Sequence, residues 1–173
     1  MSFLHDGDKR LAFPFHARTA DDAGMPSNAS PIALDAELRL RGGVAVQVTW
    51  PPATSQPPAL LVVLPGASQG APIWRELCLR IPAVLLSVPT AGMREAREAL
   101  EWGADHASEL GADPGRLLLA ADHGGAGLVA ALARHARDRG WPPIRRHVLI
   151  DPELEPERID ELAGLLRDQG RLQ

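Results

Sequence analysis

Two spacings of apolar residues alternate along the chain. Between residues 34 and 50 the period is two: Leu34, Ala36, Leu38 and Leu40 share one parity, Gly42-Gly43 interrupts, and Val44, Val46 and Val48 alternate with Ala45, Gln47 and Thr49 up to Pro51-Pro52. Alternation broken by a glycine pair predicts an antiparallel hairpin. Three continuous apolar runs follow, Leu60 to Leu64, Ile81 to Val88 and Leu117 to Ala121. They are too short for helices and have the character of strands buried on both faces of a parallel sheet.

Between these runs the period changes to three and four. Residues 71 to 80 predict a short helix with Pro72 in its first turn and Trp74, Leu77 and Cys78 on one side. Residues 91 to 110 predict a long helix with Met93, Ala96, Leu100, Gly103, Ala107 and Leu110 inward. Its outer side is expected to carry Arg94/Glu98 and Arg97/Glu101 pairs, with His106 solvated on the flank. Leu154, Ile159, Leu162 and Leu165/Leu166 place a last helix over 153 to 169. The expected fold is α/β: a mostly parallel sheet of about six strands, opened by the hairpin and covered by helices on both faces.

The chain is organised around residues 117 to 140. An apolar strand runs into Ala121-Asp122-His123-Gly124-Gly125 and then into an alanine-rich helix. Strand, tight turn and helix with small residues at the turn is the layout of the G-x-S-x-G nucleophile elbow. The nucleophile position here holds His123.

The surrounding residues resemble the hormone-sensitive-lipase branch of the α/β-hydrolases. Glu109-Leu-Gly-Ala-Asp-Pro-Gly-Arg116 matches that branch's E-L-G-A-D-P-x-R, Asp122-His-Gly-Gly matches its G-D-S-A-G-G with histidine for serine, and Ile144 to Asp151 matches its sixth strand. The resemblance implies a truncated hydrolase fold over 32 to 173, preceded by an irregular arm over 1 to 31 that stands where the family has a cap. It also implies that Pro65-Gly-Ala-Ser-Gln-Gly70 replaces the H-G-G-G oxyanion loop, with only Gly66 kept in kind. The acyl-pocket segment between the fourth strand and the long helix is shorter than the family's. The last two strands, whose loops would supply the catalytic Asp and His, have no counterpart.

Composition narrows the class. The chain has 173 residues, 45% of them hydrophobic, enough for one domain with a sizeable core. A net charge of −4 with dispersed basic residues excludes a nucleic-acid footprint. Of the 18 basic residues only Lys9 is not arginine, as in a bacterial, GC-rich coding background. Cys78 is the one cysteine, so no internal disulfide can form; it is expected to be a buried small hydrophobe. With no long apolar span and charged residues following Met1-Ser-Phe-Leu4, the expectation is a soluble cytoplasmic protein without membrane contact or cofactor.

Serine hydrolysis needs an activated serine, a histidine base held by a carboxylate, and oxyanion donors. The first reading is therefore a degenerate hydrolase-like protein that binds a small ligand or assembles, with a homodimer formed through the exposed sheet edge. The pocket expected for it is lined by Gly66, Ala67, Ser68, Asp122 and Gly124. The second reading reassigns the site: His123 acts as general base with Asp151 or Ser68, in a lyase, isomerase or cyclase reaction of secondary metabolism or as a weak esterase. A metal held by Asp122, His123 and Asp151 has no supporting ligand spacing.

Overall fold

The computed structural model describes residues 34–64, 72–89, 92–150 and 164. The chain divides into residues 1–30 and 31–173, and every described residue belongs to the second unit. The expected arm and the expected helix over 153 to 169, Gly164 apart, lie outside the described residues.

Six strands form one sheet in the order β1-β2-β4-β3-β5-β6. The hairpin of β1 (Leu34–Arg39) and β2 (Ala45–Trp50) is antiparallel, and β2 joins β4 (Ala83–Ser87) antiparallel over three residue pairs, Gln47 with Ser87 to Thr49 with Leu85. β3 (Ala59–Leu64) pairs parallel with β4 on one side and β5 (Asp113–Asp122) on the other, and β6 (Ile144–Ile150) extends the parallel part. The hairpin-then-parallel arrangement read from the sequence is the one observed.

β3 is buried at all six positions because helices cover both of its faces. Leu60, Val62 and Leu64 pack into the larger core with Leu100 of α2 (Met93–His106) and Leu132 of α3 (Ala126–Arg139). Leu61 and Val63 pack with Trp74, Leu77 and Cys78 of α1 (Pro72–Arg80). Each fully buried leucine contributes about 1.5–3 kcal/mol, so a continuous apolar run is what a central strand between two helical layers requires. Cys78 is buried as expected. In mid-α2, a Cβ on Gly103 would lie 2.7 Å from Leu86 Cδ2, so the glycine sets how closely that helix approaches the sheet.

The polar side of α2 departs from the sequence expectation. Arg94 reaches its neighbour Glu95, with its Nη2 3.0 Å from Oε1, and not Glu98. The Glu98 carboxylate instead accepts the Gly42 N–H of the hairpin turn at 2.8 Å. Glu101, expected to pair with Arg97, lies 3.8 Å from His135 Nε2 on α3. His106 is half-buried, not solvated: its ring stacks on Trp102 with centroids 4.6 Å apart, and its Nδ1 lies 2.9 Å from the Trp102 carbonyl. Glu98 and Glu101 thus meet groups of other elements, and Arg94 its own neighbour, in place of the expected exposed pairs, which contribute only about 0.2–0.5 kcal/mol.

Thr49, expected on the outward side of β2, is also buried. Its hydroxyl donates to Asp35 Oδ1 at 2.6 Å across the hairpin, which satisfies it there.

Candidate functional site at the turn between β5 and α3

The connections locate a crevice. From β3 the chain passes through α1 on one face to β4; from β4 it returns through α2 on the other face, past β3, to β5. The first connection thus runs to one side of β3 and the second crosses over to its other side. In open α/β sheets such a reversal leaves a gap beyond the carboxyl ends of the two strands, where ligands bind. Here those ends are Leu64 and Asp122, and Leu64 is in register with Ala121.

β5 ends in a single 3₁₀ turn, His123–Gly125, which runs directly into α3. Strand, turn and helix succeed one another as the sequence predicts. The turn sits tightly on the sheet: a Cβ on Gly125 would lie 2.6 Å from the Ala121 Cβ and 2.8 Å from the Leu64 carbonyl oxygen. Only glycine meets both limits at once, because neither neighbour is the free end of a flexible side chain. Asp122 is 3% exposed, and its Oδ1 accepts the Gly125 N–H at 3.2 Å. This carboxylate therefore holds the turn from beneath. Gly124 is exposed at the top of it.

Of the residues singled out from the sequence, the structure brings Asp122, the His123 backbone and Gly124 together at the end of β5, beside the end of β3. Gly66, Ala67, Ser68 and Asp151 lie outside the described residues. Ser68 is four positions beyond Leu64 in the chain, and Asp151 follows Ile150, the residue in register with Asp122. Among the described residues no three His, Cys, Asp or Glu side chains are placed to hold a metal ion, and no helix is long and apolar enough to cross a membrane. Two features of the site escaped the sequence reading: the backbone contact of Gly125 with β3, and the burial of Asp122. The only local sign of the first is the run of small residues, Ala120, Ala121, Gly124, Gly125 and Ala126.

Residues 87–166 match the model of a family with the α/β-hydrolase fold. Carboxylesterase NlhH of Mycobacterium tuberculosis is 31% identical over 125 aligned residues, which span 63% of this chain and 39% of that protein. Esterase LipI of the same species is 40% identical over 62 residues, 36% of this chain and 19% of its own. Among solved structures, an esterase of the archaeon Pyrobaculum calidifontis superposes with a TM-score of 0.57 at 27% identity, covering 67% of this chain and 43% of that one. A bacterial heroin esterase gives 0.61 at 22% identity over 69% and 44%, which speaks for the fold alone. The chain spans about two-fifths of the length of the first of these curated relatives. Its strand order, the elbow-like turn and these similarities agree: the chain has the α/β-hydrolase fold, and over residues 87–166 it is similar to carboxylesterases of the hormone-sensitive-lipase type.

Proposed function

We propose that this protein binds a small ligand at the crevice between the ends of β3 and β5 and does not hydrolyse it by the serine route. One observation carries the reading: His123 stands at the first position of the turn between β5 and α3, where the resembling esterases have their nucleophilic serine. An imidazole there can accept or donate a proton, but it cannot form the acyl-serine on which that route depends. The turn around it is built tightly, with Gly125 packed on β3 and the buried Asp122 accepting the Gly125 N–H, so a ligand entering the crevice would meet a fixed backbone while the reacting oxygen is missing.

The test is an esterase assay with short-chain p-nitrophenyl esters on the wild type, Ser68→Ala and His123→Ala. Hydrolysis at the buffer rate in all three is the expected result, accompanied by an ester-dependent rise in the thermal midpoint of the wild type. Turnover well above buffer that both substitutions abolish would overturn the proposal and make His123 the general base for a relocated nucleophile, Ser68.

A further inference from the structure

We draw no further inference here: the strongest candidate, the recess of about 560 Å³ that Arg134 and Arg137 of α3 line with Arg145, Arg146 and His147 of β6, carries nothing because nothing among the described residues shows what covers it.

Discussion

Gly125 and Leu64 meet backbone to backbone, where the turn after β5 rests on the end of β3: a Cβ at 125 would sit 2.8 Å from the Leu64 carbonyl oxygen. Gly125→Ala is therefore expected to destabilise the protein by about 1–3 kcal/mol, the usual cost of overpacking, read as a lower midpoint in urea. Adding Ala121→Gly removes the Cβ to Cβ half of the clash but not the half against Leu64, so the double variant recovers only part of the loss. Full recovery would place the whole conflict at Ala121.

Asp122 makes a second prediction at the same turn. Asp122→Ala removes the acceptor beneath the Gly125 N–H and leaves a buried donor unpaired, a loss of about 1–3 kcal/mol. Asp122→Asn keeps an oxygen at that place and is expected to lose less. Chemical denaturation of both variants checks the order; equal losses would show that charge and not the acceptor oxygen matters.

At the start of α2, Gly92 is the N-cap and makes no side-chain cap, while Glu95 stands at the third helical position. The Glu95 carboxylate is held below its ordinary value of 4.5 chiefly by hydrogen bonding to its own backbone N–H, then by the Arg94 guanidinium, with the Gly92 N–H a smaller cause. This is one half of a capping box. Gly92→Ser supplies the other half at an extended backbone position; its Cβ would lie 2.8 Å from Glu95 Oε2, so the flexible carboxylate must shift aside, and the expected gain is only a few tenths of a kcal/mol, about 0.3, measured by thermal unfolding.

The same carboxylate fixes the sign of a pH effect. Its value in the folded chain is lower than in the unfolded chain, so its contribution is present above pH 4.5 and is lost as pH falls through the depressed folded value. Glu95→Gln should lower the thermal midpoint slightly at neutral pH and match the wild type in strong acid. A gap that persists in acid would assign the effect to something other than charge.

Trp50 at the end of β2 donates its indole N–H to the Leu110 carbonyl at 2.9 Å, beyond the end of α2. Trp50→Phe keeps most of the apolar contact and removes the donor, with an expected loss of about 0.5–1.5 kcal/mol. A loss near zero would show that water replaces the indole there.

The strands were legible where burial is two-sided, because the Leu60 to Leu64 run can serve almost nothing but a central strand. α2 was legible from its apolar spacing, but it spans Met93–His106 and not 91 to 110, and Met93, expected inward, is 46% exposed at its first turn. The partners of Glu98, Glu101 and His106 were not, since local spacing carries no information about which other element lies alongside. At the site, the small residues from Ala121 to Gly125 announced a tight turn, and the turn is there. The packing of Gly125 on Leu64 depends on β3 and β5 being neighbours across a crossover, which no window of sequence records. The burial of Asp122 was not legible for a related reason: Asp122, expected to line a pocket, instead accepts the Gly125 N–H, and nothing in the sequence marks that partner.

The narrow junction of the hairpin with the rest of the sheet has a consequence for how the molecule opens. Among the described strands β1 pairs only with β2, and β2 meets β4 through three residue pairs, with further ties at Gly42 to Glu98 and Trp50 to Leu110. Amide hydrogen exchange should therefore find residues 34–50 exchanging as one cooperative unit, at a lower free energy than the β3 and β5 amides, which wait for global unfolding. The crevice between β3 and β5 would then keep its shape through excursions in which the hairpin leaves and returns.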